Sequence, residues 1–283
     1  MSQGNSRREF IKKVVAVSGL LALPAPLVLL AKRGQESVTD NKNTPAKKVH
    51  AWCMVIDLKK CDGCVSNGTP PQCTEICIKG HYSPNGQQWI EVYREELPGD
   101  GSYFLPTPCY QCENAPCVNV CPVAATYHTR DGIVLIDNKR CIGCRLCMAA
   151  CPYHRRFFNW GEPQLPPEAT LFEHESVVES ALKGTVSKCM FCAHLLAEKR
   201  LPYCVLACPQ RALYMGELNE GIASNGKEIV KLSEFLAEND SYRYKEELGT
   251  MPRVFYLPGH GQEAGRKAND PRPLKPVIWP WGG

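Results

Sequence analysis

The chain has 283 residues, enough for one large domain or two small ones, and its 44% hydrophobic content is ordinary for a globular protein. A formal net charge of +4 identifies no class of partner by itself. The seventeen cysteines are the unusual feature, and they indicate disulfides, zinc sites or iron–sulfur clusters.

Residues 1–31 have the features of a targeting segment. Arg7 and Arg8 precede an apolar run, 14–31, and the arginine pair resembles the twin-arginine export motif. We expect an export signal. A retained transmembrane anchor is the alternative, although the run is marginal in length and contains two prolines, and the two interpretations can coexist. Residues 32–48 are polar and basic, which predicts a flexible linker.

The first cysteine group follows a predicted strand, 50–58, which is rich in Val, Ile and Trp. Its members are Cys61, Cys64, Cys73 and Cys77. An insertion, 65–72, separates the opening C-x2-C from the closing C-x3-C, and no proline follows Cys77, so this group departs from the compact motif. Cys53, on the strand, is interpreted as a buried apolar residue rather than a ligand.

The second and third groups flank a hairpin signal. They are Cys109, Cys112, Cys117 and Cys121-Pro122, then Cys141, Cys144, Cys147 and Cys151-Pro152. Between them, two β-rich stretches flank Asp131-Gly132, which predicts a hairpin. The third group has the spacing C-x2-C-x2-C-x3-C-P, which is typical of 4Fe–4S ligation, and Gly143 allows close approach of the loop.

The fourth group is Cys189, Cys192, Cys204 and Cys208-Pro209, with a helical insert at 193–203. The remaining predicted elements are a strand at 88–94, a turn and short strand at 153–160, a surface excursion at 161–175, an amphipathic helix at 229–238 and a strand at 253–257.

The four groups form an internal repeat, because all end in C-x3-C and three continue with proline. In two-cluster ferredoxins, three cysteines of one motif share a cluster with the last cysteine of its partner. The middle groups are adjacent and should pair, and the outer groups should pair around them. The predicted ligand sets are Cys61, Cys64, Cys73 with Cys208; Cys109, Cys112, Cys117 with Cys151; Cys141, Cys144, Cys147 with Cys121; and Cys189, Cys192, Cys204 with Cys77.

This pairing predicts an α+β fold of two ferredoxin-like units that are related by pseudo-twofold symmetry. Each unit has two 4Fe–4S clusters. The inner unit, 105–175, is inserted within the outer one, 49–104 and 176–258, and 259–283 form an extended arm on this subunit or a partner. Four oxidised clusters would make the loaded protein acidic, so no nucleic-acid partner is expected.

Zinc sites and disulfides are less consistent with the spacing of the cysteines. A zinc ribbon uses two separated C-x2-C pairs, whereas every pair here has its own C-x3-C. A disulfide framework suits an exported protein, but C-x2-C-x2-C places thiols too close in sequence for a useful set of cross-links.

No catalytic site stands out. The seven histidines show no metal-ligand spacing, and each is interpreted as a surface or packing residue: His50, His81, His128, His154, His174, His194 and His260. Arg155, Arg156 and Lys188 flank predicted ligands, where they either offset cluster charge or are solvated surface charges.

The export segment, the four groups and the stretch Cys-Pro-Tyr-His-Arg-Arg-Phe-Phe-Asn-Trp, 151–160, resemble the four-cluster ferredoxin subunits of the dimethyl sulfoxide reductase superfamily. The members most similar in pattern are exported subunits associated with polysulfide, tetrathionate and nitrite reductases and with sulfite-reduction complexes. The resemblance covers about residues 49–258 and implies four 4Fe–4S clusters, because all sixteen ligand positions are cysteine.

The resemblance also implies a role. It is that of a non-catalytic electron-transfer subunit between a polytopic quinone-interacting membrane subunit and a catalytic partner, either a molybdopterin enzyme or a multihaem cytochrome. Its implied location is the periplasm or the outer face of the cytoplasmic membrane. A structural or assembly component, whose metal sites only hold shape, is the alternative hypothesis.

Overall fold

The computed structural model of the chain describes residues 50–84, 86–97, 101–162, 182–259 and 275–276. The predicted export signal and linker, most of the surface excursion and most of the C-terminal arm lie outside the described residues. Within them, no helix has the length and apolar character needed to span a membrane.

The described residues form thirteen strands, six α-helices and two 3-10 helices. The strands are β1 Trp52–Asp57, β2 Glu91–Glu96, β3 Ser102–Thr107, β4 Thr126–His128, β5 Val134–Ile136, β6 Phe157–Phe158, β7 Val186–Ser187, β8 Leu213–Glu217, β9 Ile222–Ser224, β10 Ile229–Lys231, β11 Tyr242–Arg243, β12 Val254–Leu257 and β13 Lys275–Pro276. The α-helices are α1 Gln72–His81, α2 Pro116–Asn119, α3 Leu146–Ala150, α4 Ala193–Ala197, α5 Tyr203–Ala207 and α6 Leu232–Glu238, and the 3-10 helices are Val65–Asn67 and Glu246–Leu248.

The largest sheet is built on β1, which was predicted from the sequence. Its order is β10-β9-β8-β1-β12-β11, with β1 parallel to β12 and antiparallel to β8. Because side chains alternate along a strand, Met54 and Ile56 enter the main hydrophobic core, while Cys53 and Val55 enter a second, smaller core on the opposite face. Because β1 is buried on both faces, it holds the start of the first cysteine group, which follows it, in a defined position.

Two pairs of short helices carry five of the cysteines, Cys73, Cys77, Cys117, Cys147 and Cys204. Helix α1 packs on α5, and α2 packs on α3, although the members of each pair are far apart in sequence. A Cβ on Gly80 of α1 would lie 2.6 Å from the ring of Tyr203 in α5, so the glycine permits the close approach of these two helices.

The predicted hairpin at Asp131-Gly132 is confirmed. Strands β4 and β5 pair antiparallel in the register Thr126 to Ile136 and His128 to Val134. Gly132 has a φ of +77°, the left-handed conformation that a tight turn requires and that glycine adopts without strain.

A second hairpin was only half predicted. The strand expected at 88–94 is β2, at 91–96, and it pairs with β3, a stretch whose glycine and proline content had suggested a loop. Pro106 lies in β3, whose other edge has no strand partner among the described residues, and an edge strand tolerates a residue without an N–H group.

The remaining predictions are met to different degrees. Helix α4 occupies part of the helical insert, β12 occupies the strand predicted at 253–257, and β6 is the short strand predicted after the third group. The helix predicted at 229–238 is wrong at its start, because Ile229–Lys231 pair with β9 as a strand before α6 begins.

Cys53 offers a test of the fold. Its side chain is fully buried among apolar residues, and burial raises the pKa of its thiol to about 12. Cys53→Ser should lower the free energy of unfolding by about 1–3 kcal/mol, because the hydroxyl loses its hydrogen bonds with water. The iron bound per chain should not change. Thermal unfolding and iron analysis check both statements, with Cys53→Ala as the control that adds no polar group; a loss of iron in either variant would contradict the interpretation of Cys53 as a core residue.

Candidate iron–sulfur sites

The sixteen cysteines predicted as ligands come together in four sets. We name each set after the group that supplies three of its members. The motif-1 quartet is Cys61, Cys64, Cys73 and Cys208; the motif-2 quartet is Cys109, Cys112, Cys117 and Cys151; the motif-3 quartet is Cys141, Cys144, Cys147 and Cys121; the motif-4 quartet is Cys189, Cys192, Cys204 and Cys77. These groupings are the ones expected from ferredoxin pairing, whereas iron ligation by them remains a prediction.

In the motif-1 quartet the insertion becomes part of the site. It forms the 3-10 helix Val65–Asn67 and then leads into α1, and the N–H of Gln72 donates to Cys64 Sγ at 3.4 Å. Gln210, two residues after Cys208, donates to Ser66 Oγ at 2.8 Å. The insertion therefore does not separate Cys73 from Cys61 and Cys64, because it is hydrogen-bonded to the segment that supplies Cys208.

Helix α1 supplies cysteines to two quartets. Cys73 and Cys77 are four residues apart, one helical turn, yet Cys73 is surrounded by the thiols of Cys61, Cys208 and Cys64. The thiols that act most strongly on Cys77 are those of Cys189 and Cys192. The motif-1 and motif-4 quartets are consequently adjacent, with α1 and α5 along both.

The motif-3 loop depends on a close backbone approach. Gly143 has a φ of +68°, and a Cβ there would lie 2.1 Å from the carbonyl oxygen of Gly184.

Burial alone would raise the pKa of the Cys121 thiol, but N–H groups of the backbone at Thr126, Val123 and Ala125 outweigh burial and lower it. This cradle favours a thiolate at Cys121, the form that binds metal.

Three of the quartets line pockets of similar size. About 350 Å³ of atom-free space, part of it open to solvent, lies at the motif-4 quartet, 340 Å³ at the motif-2 quartet and 320 Å³ at the motif-3 quartet. A zinc ion would draw four sulfurs to about 2.3 Å from one centre. Among the described residues, no three of the cysteine sulfurs lie within 4.8 Å of one another. The spacing suits a cube of iron and sulfide, whose ligands are spread around its corners, better than a single ion.

The chemistry of the donor set also fits a metal cluster. Burial raises the pKa of the Cys73, Cys77 and Cys204 thiols well above the ordinary value. Buried thiols of this kind become thiolates when a metal supplies compensating positive charge. The residues present therefore fit 4Fe–4S clusters, which supply one-electron redox chemistry when bound.

The three cations beside predicted ligands are not surface charges. Arg155, Arg156 and Lys188 are 6%, 4% and 3% exposed. Arg155 is paired with the carboxylate of Glu91 at 2.8 Å, and Lys188 donates to the backbone oxygens of Val134 and Cys189. Solvated surface charge is therefore the wrong interpretation for all three.

His81 is a neighbour of the motif-4 quartet that the sequence pattern did not single out. It is one turn after Cys77 on α1, and its Nε2 lies 3.1 Å from Sγ of Cys192, where an N–H can donate to sulfur. Burial and then His194 lower the pKa of His81 to about 3, so the ring is neutral near pH 7. Knowledge that 72–81 is helical would have indicated its position, because positions four apart share a face.

Gln111 is a second residue that the sequence pattern missed, and it connects three parts of the chain. Its side chain donates to the carbonyl of Cys189 at 2.8 Å and accepts the N–H of Val134 at 2.8 Å. The second group, the fourth group and the hairpin are thereby fixed together. Nothing in its sequence position between Cys109 and Cys112 distinguishes it from an exposed loop residue.

Comparison with known proteins identifies the family. The model of the 4Fe-4S dicluster domain matches residues 101–166, which include the second and third groups and the hairpin. A selenate reductase subunit of Mesobacillus selenatarsenatis is 40% identical over 240 residues, 80% of this chain and 77% of its own length. The chain belongs to the family of iron–sulfur subunits of reductase complexes. As a member it binds 4Fe–4S clusters and transfers electrons.

Further members are similar over comparable lengths. A putative dimethyl sulfoxide reductase iron-sulfur subunit of Halobacterium salinarum is 39% identical over 73% of this chain and 78% of its own length. A tetrathionate reductase subunit of Salmonella typhimurium is 34% identical over 91% of this chain and 90% of its own length. The match therefore extends well beyond the dicluster domain into the outer cysteine groups.

Gly143→Ala tests the loop geometry. The substitution adds a side chain in a left-handed conformation, which costs about 1–2 kcal/mol, and places a Cβ against the carbonyl of Gly184. We expect less iron per chain and a lower unfolding temperature. Gly161→Ala is the control, because a Cβ there meets nothing within 4 Å. Equal iron content in the two variants would show that the close approach is not needed.

Proposed function

We propose that the chain holds four 4Fe–4S clusters, one in each quartet, and relays electrons along them within a reductase complex. The observation that carries the proposal is the sharing of groups between sites. Helix α1 supplies Cys73 to one quartet and Cys77 to the next, which is the ligand exchange of two-cluster ferredoxins.

The contacts between quartets support one linear order. The motif-1 and motif-4 quartets adjoin at α1 and α5, and the thiol of Cys109 in the motif-2 quartet is a close electrostatic neighbour of Cys189 in the motif-4 quartet. The motif-2 and motif-3 quartets adjoin at α2 and α3. The order along the chain of sites is therefore motif 1, motif 4, motif 2, motif 3.

Both ends of this series reach the surface. At the motif-3 end, Cys144 is exposed, and the apolar side chains Ile142 and Leu146 are 64% and 50% exposed. At the motif-1 end, Val65 is 55% exposed beside Cys64. Electrons can enter and leave at the two ends without crossing a thick layer of protein.

The ligand assignment predicts which cysteines act together. Cys117 and Cys151 are in one set although 34 positions separate them, whereas Cys147 is close to Cys151 in sequence and is in another. Cys117→Ser and Cys151→Ser should alter the same signal in the EPR spectrum of the dithionite-reduced protein, and Cys147→Ser a different one. The unaltered protein should contain about sixteen iron ions, four for each cube.

The same measurement separates the alternatives. A structural or assembly component would show no reversible reduction, and zinc sites would give a colourless protein with little iron. If Cys151→Ser affected the signal altered by Cys147→Ser instead, each motif would hold its own cluster and the exchange of ligands would be wrong.

We further propose the partners and location that the family resemblance implies. The partners are a polytopic quinone-interacting membrane subunit and a catalytic subunit, either a molybdopterin enzyme or a multihaem cytochrome. One relative, from Nitratidesulfovibrio vulgaris, is named as the iron-sulfur cluster-binding subunit of menaquinone reductase, which supports the quinone link. We propose a non-catalytic role for the chain itself and no nucleic-acid partner.

Export by the twin-arginine route rests on Arg7 and Arg8 ahead of the apolar run. Replacing both by lysine keeps the charge and should retain cluster-loaded protein in the cytoplasm, as cell fractionation would show. Replacing Lys12 and Lys13 by arginine is the control and should leave export intact. Periplasmic accumulation of the Arg7→Lys, Arg8→Lys variant would contradict the proposal.

A further inference from the structure

Arg156 is buried without a carboxylate partner. Its side chain is 4% exposed, and among the described residues no carboxylate lies within ion-pair distance of it. Its Nη1 donates to the neutral hydroxyl of Thr126 at 3.2 Å, and its Nη2 is buried with no hydrogen-bond partner among the described residues. An isolated buried cation is costly, so this position requires a source of negative charge that the polypeptide oxygens do not provide.

The neighbouring arginine shows what a structural role looks like here. Arg155 is equally buried, but it pairs with Glu91 at 2.8 Å and donates to Tyr93 Oη at 2.7 Å. Its charge is therefore neutralised by protein groups. Of these two consecutive arginines, only Arg156 has a charge that no carboxylate of the described residues neutralises.

The sulfur atoms near Arg156 belong to two sites. The thiols of Cys117, in the motif-2 quartet, and Cys147, in the motif-3 quartet, are the charged neighbours that act most strongly on its guanidinium. Arg156 also lines the space enclosed by the motif-2 quartet, and its partner Thr126 lines the space of the motif-3 quartet. The side chain consequently lies at the junction of the two sites.

We propose that Arg156 is the shared counter-cation of the motif-2 and motif-3 sites and raises the reduction potential of both. The proposal rests on cluster binding at these quartets. A 4Fe–4S cluster with its thiolates carries about −2 when oxidised and gains one negative charge on reduction. A fixed positive charge in a dry interior stabilises the reduced form more than the oxidised form.

The motif-1 site has the opposite environment. The carboxylate of Asp62 lies between Cys61 and Cys64 in the sequence, and its Oδ1 accepts the N–H of Cys64 at 2.9 Å. Negative charge disfavours reduction. The series should therefore have a low potential at the motif-1 end and higher potentials at the motif-2 and motif-3 sites, where Arg156 is located.

The test is an EPR-monitored redox titration of the full chain with its clusters. Arg156→Gln removes the charge and keeps polar hydrogens, and it should shift the midpoint potentials of two clusters to more negative values while the other two stay unchanged. Arg156→Lys keeps the charge and should shift them less. The signals are assigned with Cys117→Ser and Cys147→Ser.

Arg145→Gln is the matched control. Arg145 follows Cys144 directly, but its side chain is exposed and lies over the rings of Phe158 and Trp160. Water screens an exposed charge, so this variant should show a smaller shift than Arg156→Gln. An equal shift in the two variants, no shift in Arg156→Gln, or a shift of all four midpoints would overturn the proposal.

The unaltered protein gives a second criterion if Arg156→Gln does not load its clusters. The two clusters assigned through Cys117 and Cys147 should then have higher midpoint potentials than the cluster lost in Cys61→Ser, and the reverse order would overturn the proposal. A deficit of iron in the unaltered protein would instead count against the four-cluster assignment, so the two failures are distinguishable.

Discussion

Helices α1 and α5 lie against each other because Gly80 leaves room for the ring of Tyr203, and each helix extends along two cysteine quartets. Because one short helix serves two sites, the cysteine groups that complete those sites must lie beside it. The motif-1 and motif-4 quartets cannot form independently, since Cys77 and Cys208 each complete the set of the opposite group. Strand β1, which precedes the first cysteine group, and β12, which follows the fourth, pair as parallel neighbours in the same sheet.

Burial of so many thiols disfavours their ionised forms, and the charged side chains close to them differ along the molecule. Burial raises the pKa of the Cys73 and Cys204 thiols, and metal binding offsets that penalty when the thiols ionise. Near the motif-2, motif-3 and motif-4 quartets the chain adds buried cations, Arg156 and Lys188, whereas at the motif-1 quartet it adds Asp62. The fold thus places different charges along a series of chemically identical cysteine quartets, and such charge differences are one means by which a polypeptide gives otherwise identical cluster sites different reduction potentials.

Much of the site could be predicted from sequence because ligand spacing is a local property. The C-x2-C and C-x3-C patterns identify sixteen cysteines, and the hairpin at Gly132 explains why the middle groups are neighbours. The sequence could not indicate which cations are buried or how each is neutralised. Arg155 and Arg156 are adjacent in sequence, and they differ only in long-range surroundings: Arg155 pairs with Glu91, whereas Arg156 lies near the thiols of two cysteine sets. His81 and Gln111 were missed for the same reason, because their partners are 111 and 78 positions away. The edge strand β3 was missed because local proline content says nothing about its place in the sheet.

The most direct test of four-cluster binding is to locate the metal. Anomalous scattering at the iron absorption edge, measured on crystals of anaerobically prepared protein, gives the positions of iron and its ligands without assigning spectra. We predict four iron centres in a row, in the order motif 1, motif 4, motif 2, motif 3, each bonded to three cysteines of one group and one of its partner. Four cysteines of a single group around one centre, or a row with fewer than four iron centres, would contradict this prediction.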